Sequence, residues 1–241
     1  MPDRAPKPMA SRGEGGAVAL VAAWNEGDRI GDTIHALASL PGVRRVVVAD
    51  DGSSDDTRFL AAAAGASVVR SERNLGKGAA LEAALAWLDR VDDDAPIVLL
   101  ADGDLGGSAG ALGALLELVV AGRADLAVAV PPAPPTGGFG LVRAGASALI
   151  RRASGVLARA PLSGQRAVAR GCLEACRPLA AGFGVEAAMT ADAGRLGFRI
   201  VEVDVPVVHR FTGRDAAGFR HRAAQGLDIV RALAPRVVGV R

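Results

Sequence analysis

The sequence predicts an α/β fold, with a mostly parallel central sheet covered by helices on both faces. Three observations carry that prediction. Five runs of strand length recur within residues 17–130, the first four are each followed by a helix-length segment, and the runs are largely apolar rather than alternating. A strand that is apolar on both of its faces must be covered on both, which is the condition of a parallel sheet whose crossovers are helices.

The elements follow in order. AVALVAA (17–23) reads as a buried strand, with a helix over 28–40 that stops at Pro41-Gly42. RRVVVAD (44–50) is the second strand, and SSDDT opens the next helix, with Ser53 as its cap and Asp56 three residues on completing a capping box. ASVVR (66–70) is the third strand. GKGAALEAALAWLDR follows as a helix, because Leu81, Leu85 and Leu88 recur at i, i+4 and i+7. APIVLLA (95–101), a helix over 108–121 and ADLAVAV (124–130) complete the first half. The Pro/Gly segment 131–140 is too irregular for either element and reads as a connection, with a flap over a site as the alternative. Beyond it come a basic helix over 141–159, a short strand over 166–169, a helix over 185–196, a strand over 199–208 and a last helix over 216–233. The expected organisation is a flexible tail over 1–16 and one domain over 17–241, its halves meeting at the Pro/Gly segment.

Composition excludes several classes. The chain has 241 residues, is 50% hydrophobic and 22% charged, and so buries a core. Its apolar runs fall well short of the roughly 18 residues that cross a bilayer, and its first 16 residues carry no apolar signal core. Two cysteines, Cys172 and Cys176, do not make a disulfide framework and point to the cytoplasm. With 3% aromatic residues and no Tyr, a base-stacking nucleic-acid platform is not expected. The net charge of +2 conceals a split. Residues 1–140 hold 12 basic and 19 acidic residues, whereas residues 141–241 hold 16 Arg and 7 acidic residues. An acidic half suits a cation and a basic half suits anions.

In an open parallel sheet, ligands bind beyond the carboxyl ends of the strands. Asn25 and Glu26 follow the first strand, Asp50 and Asp51 the second, and Asp102 and Asp104 the fourth. Carboxylates gathered on one edge are costly unless a cation or hydrogen-bond donors lie between them, and Mg²⁺ or Mn²⁺ with its oxygen ligands is the simplest answer. In VLLADGDL the two carboxylates flank Gly103, which lets the backbone turn between them. RNLGKGAAL places Lys77 at a helix start, where backbone N–H groups favour anions. It is not a P-loop, and no G-x-G-x-x-G follows the first strand, which argues against a dinucleotide-dependent dehydrogenase.

Taken in order, AAWNEGDRI, VVVADDGSSDDT, RNLGKGAAL and VLLADGDL resemble the nucleotide-sugar half of GT-A family-2 glycosyltransferases of the dolichyl-phosphate mannosyltransferase kind. PLSGQRAVAR and GFGVEAAMTADAGRLGFRIVEVDVPVVHR extend the resemblance to those enzymes and to the retaining glucosyl-3-phosphoglycerate synthases, over roughly residues 17–230. The resemblance implies a GT-A, Rossmann-like fold with a nucleotide-sugar half over 17–130 and an acceptor half over 141–241. It implies that Ala23, Trp24 and Glu26 meet the donor, that Asp50 or Asp51 reads the base, and that Lys77 lies near the base or diphosphate. Asp102 and Gly103 also fall to the donor. Asp102, Asp104 and His209 make the metal site, with Asp104 the direct ligand. Glu186 matches an acidic position at the acceptor side and is the expected base of an inverting reaction, with Asp192 a second candidate. Gly164, Arg210 and Arg214 are assigned to acceptor or diphosphate, and Arg220 and Arg222, with His221, are further anion candidates. His35 is expected to face solvent. Two features depart from the family pattern: the Pro before the first-strand motif is missing, and Ala79 stands after GKG where the synthases place Glu.

The expected activity is a metal-dependent transfer of a sugar from a UDP- or GDP-linked donor to a small, phosphorylated or polyprenyl-phosphate acceptor, with inversion. A retaining synthase-like enzyme and a non-catalytic sugar-nucleotide-binding protein are the alternatives. A sugar nucleotidyltransferase is disfavoured because AAWNEGDRI stands where its Gly-rich, Arg-containing loop belongs. The 141–159 helix raises the question of peripheral contact with the inner face of a membrane, and a homodimer is left open.

Overall fold

The computed structural model describes residues 16–91, 93–132, 140–209 and 216–238. The expected tail apart from Gly16, most of the Pro/Gly segment, Arg210 and Arg214 lie outside the described residues, as do the side chains of Arg220, His221 and Arg222.

Seven strands form one sheet: β1 (Ala17–Ala23), β2 (Val43–Asp50), β3 (Ser67–Arg70), β4 (Ile97–Asp102), β5 (Leu126–Val130), β6 (Arg166–Ala169) and β7 (Ile200–Asp204). Their order is β3-β2-β1-β4-β6-β5-β7. β1 pairs in parallel with β2 and β4, β2 with β3, and β5 with β7. β6 alone runs antiparallel, between β4 and β5.

The apolar strands are explained by their alternation. In β1, Ala17, Ala19, Val21 and Ala23 face one core, built with α1 (Gly27–Ala38), α2 (Thr57–Ala63) and α4 (Gly113–Val120). Val18 and Leu20 face the other, built with α3 (Lys77–Arg90), α6 (Arg170–Cys176) and α7 (Val185–Arg195). Both faces are thus covered, as a parallel sheet requires. A third cluster joins α5 (Gly140–Ser154), α7 and α8 (Ala216–Val237) through Ala146, Ile150, Ala187, Ala191, Ile229 and Leu233.

Several elements differ from expectation, each for a local reason. The helix expected over 108–121 begins as a 3-10 segment, Gly106–Leu112, because Gly106, Gly107 and Gly110 weaken the α-helical turn. α5 stops at Ser154, where Gly155 takes a φ of 77°, so Arg159 lies beyond it. β7 ends at Asp204, just ahead of Pro206, which has no N–H for a ladder. The seven-residue α6 is too short to show a period. Ser53 does not cap α2. Its hydroxyl accepts the Asn25 N–H at 2.9 Å, and Asp55 takes the Thr57 N–H at 3.1 Å.

Candidate active site

Strand order reverses between β1 and β4, since β2 and β3 extend one way from β1 and β4 lies on its other side. That switch point is where open α/β sheets bind ligands. In register, Ala23 stands beside Asp50 and Ala22 beside Asp102, so three strand ends present their motifs together.

The Asp102-Gly103-Asp104 turn is fixed from α1. The Gly103 N–H donates to the Ala22 carbonyl at 2.9 Å. The Thr33 hydroxyl donates to the Gly103 carbonyl at 2.9 Å, and the Arg29 Nη1 donates to the Asp104 carbonyl at 3.0 Å. These contacts hold the backbone of the turn and engage neither carboxylate. The Asp102 Oδ1 meets the Lys77 Nζ at 2.5 Å, and its Oδ2 accepts from the Gln165 Nε2 at 2.6 Å. The Lys77 Nζ also lies 2.6 Å from the Glu186 Oε1, so one ammonium bridges two carboxylates.

Topology explains why residues so distant in sequence meet. Because β6 is antiparallel, its first residue Arg166 pairs with Leu100 near the carboxyl end of β4. The preceding Gly164 and Gln165 therefore arrive beside Asp102. A Cβ at Gly164 would lie 2.5 Å from the Lys77 Nζ and 2.6 Å from the Asp102 Oδ2, so a side chain there would push those two groups aside. Gly78 leaves no room for a side chain, because a Cβ on it would meet the Ala180 backbone carbonyl oxygen at 2.0 Å, so the start of α3 packs directly on the segment before α7.

His209 reaches the site from the segment after β7. Its Nδ1 lies 3.2 Å from the Asp104 Oδ1, and the neighbouring Val208 N–H donates to the Ser108 hydroxyl at 3.0 Å. Ligand atoms of Asp102, Asp104 and His209 all fall within 4.8 Å of one another. Two carboxylates and an imidazole are a donor set that fits Mg²⁺ or Mn²⁺, each of which also keeps positions for water and phosphate oxygens.

The charges are mutually dependent. Burial alone would lower the Lys77 pKa, but Asp102 and Glu186 outweigh it and raise it, so the ammonium is permanent. Burial would raise Asp102, and Lys77 holds it below the usual carboxylate range instead. Burial would lower His209, whereas its hydrogen bond to Asp104 and the charges of Asp102 and Asp104 raise it. An imidazole must be neutral to bind a metal. Mn²⁺ affinity, titrated calorimetrically, is therefore expected to strengthen as pH rises through the raised His209 pKa. His209→Asn weakens binding and flattens that dependence, whereas an unchanged slope would contradict His209 as a ligand.

At the ends of β1 and β2, Asn25 holds a φ of 56° and its Oδ1 accepts the Ser54 N–H at 2.8 Å. Ala23 is buried, and Trp24 projects outward at 53% exposure. The Glu26 N–H donates to the Thr57 hydroxyl at 2.8 Å. Asp51 is buried and accepts the Leu75 and Gly76 N–H groups, both at 2.8 Å, so a side chain of the protein itself occupies the backbone donors ahead of α3. Asp50 is fully buried, accepts the Ser53 N–H at 2.9 Å and lies 3.3 Å from the Arg70 Nε. Asp192 stands apart from this group: its carboxylate is held by Arg236 of α8, at 2.8 Å and 2.5 Å. His35 is exposed on α1.

Arg29, Thr33, Ser108, Gln165 and Arg166 were not singled out by sequence reasoning for this site. Most of them act on backbone carbonyls or amides, and such contacts leave no residue-type signature. Gln165 had one available signal, since an uncharged amide directly after the Gly of PLSGQR sits in a motif already noted.

A model of glycosyl transferase family 2 matches residues 18–165 of this chain. No curated protein matches it in sequence. Among solved structures, it is similar to glucosyl-3-phosphoglycerate synthase from Mycobacterium tuberculosis in complex with Mn²⁺, UDP and phosphoglyceric acid. Identity is 27%, the TM-score is 0.76, and the match covers 93% of this chain and 79% of the other. It is also similar to the same synthase in complex with Mn²⁺, UDP-glucose and glycerol 3-phosphate, at 26% identity and a TM-score of 0.75, covering 98% and 86%. A third match is a mycobacterial protein at 28% identity and a TM-score of 0.76, covering 98% and 80%.

Proposed function

The chain belongs to glycosyl transferase family 2, and on that premise we propose that it moves glucose from UDP-glucose to a small phosphorylated acceptor at the Asp102–Lys77–Glu186 centre. The observation that carries this reading is that Asp102, Asp104, His209, Lys77 and Glu186 gather at the switch point of the sheet, from strands and helices far apart in sequence. Mn²⁺, UDP-glucose and phosphorylated acceptors in the solved synthases support it.

In this reading Ala23, Trp24 and Glu26 face the nucleoside. Asp50 and Asp51 act there by holding the loops around Ser53 and Gly76. Asp104 and His209 hold Mg²⁺ or Mn²⁺, with Asp102 beside them. When bound, the ion supplies stabilisation of the negative charge that develops on the leaving diphosphate. Lys77 keeps Asp102 ionised and adds a fixed positive charge where the sugar–phosphate bond breaks. Arg210 and Arg214, just after His209 in sequence, suit the diphosphate or the acceptor phosphate, because guanidinium forks match phosphate oxygens.

The stereochemical course turns on Glu186. It is 7% exposed and its Oε1 is tied to Lys77, whereas the base of an inverting reaction has to reach the acceptor hydroxyl. A retaining course, in which Glu186 orients Lys77 and the acceptor, accords better with that contact than the inversion its position first suggested. A polyprenyl-phosphate acceptor reached by laying α5 on a membrane fits less well, because Ala146 and Ile150 of α5 are buried against α7 and α8. No helix among the described residues is long and apolar enough to cross a membrane.

The test is turnover of UDP- and GDP-linked sugars with Mn²⁺, using 3-phosphoglycerate, glycerol 3-phosphate and neutral sugars as acceptors, with the product anomer assigned by proton NMR. The expected result is an α-glucoside from UDP-glucose and a phosphorylated acceptor. Tight nucleotide binding without turnover of any donor would favour the binding-protein alternative, and a β-product would restore Glu186 as the base.

A further inference from the structure

Arg166 is 1% exposed and is the largest fully buried side chain among the described residues. Its guanidinium makes two bonds to opposite walls of the site. The Nε donates to the Ser163 carbonyl at 2.8 Å, at the turn that carries Gly164 and Gln165 to Asp102. The Nη1 donates to the Thr190 hydroxyl at 2.9 Å, and that hydroxyl donates in turn to the Glu186 carbonyl at 3.0 Å, in the first turn of α7. The Nη2 has no hydrogen-bond partner among the described residues, and Arg166 lines a small cavity together with Lys77, Gly164 and Glu186.

A buried guanidinium with an unspent donor is a poor device for stability. Desolvation disfavours its charge, and packed apolar residues often do as well or better in its place. Stability therefore does not account for Arg166, while its bonding pattern does. We propose that Arg166 is a positioning residue that fixes the spacing between the Gly164 turn and the first turn of α7, and so sets where Lys77 stands between Asp102 and Glu186. The proposal rests on the reading of that trio as the reaction centre. The Gly164 turn bears directly on that pair, since a Cβ there would displace the Lys77 Nζ and the Asp102 carboxylate. Misplacement by about 1 Å costs roughly 10²-fold in rate.

Thr190→Val cuts the link to Glu186 while leaving the guanidinium and the shape of the core in place. Arg166→Lys keeps a charge but cannot reach both walls, and Arg166→Met removes charge and bonds together. Lys7 and Lys77 are the only lysines of the chain, so ¹⁵N-lysine labelling of the full-length protein reports on the Lys77 ammonium directly, with Lys77→Arg giving the assignment. The expected result is a protected Lys77 ammonium signal in the wild type that shifts or broadens in Thr190→Val, at unchanged circular dichroism. With it, kcat falls about 10-fold in Thr190→Val and about 100-fold in Arg166→Met, donor KM stays within about two-fold, and Arg166→Lys recovers only part of the loss. A Lys77 signal and a kcat that match the wild type in folded Thr190→Val and Arg166→Met would overturn the proposal. If the wild type turns over no nucleotide sugar, the functional reading fails separately, and the ammonium signal still decides the role of Arg166.

Discussion

Asp104→Ala is expected to abolish metal-dependent binding of the donor nucleotide while leaving the metal-free fold intact. Asp104 supplies a carboxylate oxygen to the group completed by Asp102 and His209, and its backbone carbonyl is held by Arg29 whatever its side chain. The turn therefore survives the substitution. Without metal, Asp102 and Asp104 are like charges on one turn, so deleting one relieves repulsion and offsets the lost contact to His209. The variant should melt within about 2 °C of the wild type, the range of a substitution worth about 0.5 kcal/mol in a chain of this size. Loss of charge stabilisation at the leaving diphosphate is expected to lower kcat by about 10³-fold, or about 4 kcal/mol. Thermal shift with UDP, with and without Mn²⁺, checks the first claim: the wild type gains stability from the pair by linkage, and the variant does not. A metal-dependent shift that persists in Asp104→Ala would remove Asp104 from the ligand set.

What the sequence made legible, and what it hid, divides along physical lines. Asp102 and Asp104 stand at the end of an apolar strand, Lys77 at a helix start, and Glu186 and His209 in motifs of their own. Position relative to a strand end is a local property, so these residues were visible one by one, and the parallel sheet was visible from strands apolar on both faces. The direction of β6 was not. RAVA is four residues long and reads alike in either direction, yet its antiparallel insertion is what brings Gly164 and Gln165 to Asp102. Thr33 and Arg29 look like members of an ordinary amphipathic helix, and only the tertiary structure shows them gripping the carbonyls of the Asp-Gly-Asp turn. The Ser53/Asp56 capping box failed for a related reason. A long-range partner, the Asn25 N–H, took the hydroxyl that a local rule had reserved for α2.

Lys77→Met is expected to cost both stability and activity, and the two losses separate with pH. The ammonium lies 2.5 Å from Asp102 and 2.6 Å from Glu186, with 20% of its side chain exposed, and nothing else of positive charge hydrogen-bonds either carboxylate among the described residues. Met fills a similar volume, so packing survives, but two partly buried anions then face each other without their counter-ion. Removing one member of a buried ion pair costs about 3–5 kcal/mol, and the remaining exposure of Lys77 places this case near the lower end. The expected loss in melting temperature at pH 7 is about 6–12 °C. Its pH dependence follows from the direction of the Asp102 shift. Lys77 depresses that carboxyl in the folded state, so its contribution is present above the unfolded carboxyl pKa and is lost as pH falls through the folded one. The gap between wild type and Lys77→Met should therefore be full at pH 7 and narrow as pH falls below about 4, where Asp102 loses the charge that Lys77 balances. Turnover should fall by about 10²–10³-fold at every pH, because protonating Asp102 relieves the charge imbalance without restoring a positive charge at the breaking sugar–phosphate bond. Denaturant melts of both proteins at pH 7 and at about pH 3, below the unfolded carboxyl pKa, make the comparison, paired with donor turnover. A stability gap that is independent of pH would mean that Lys77 holds the site by packing rather than by its charge.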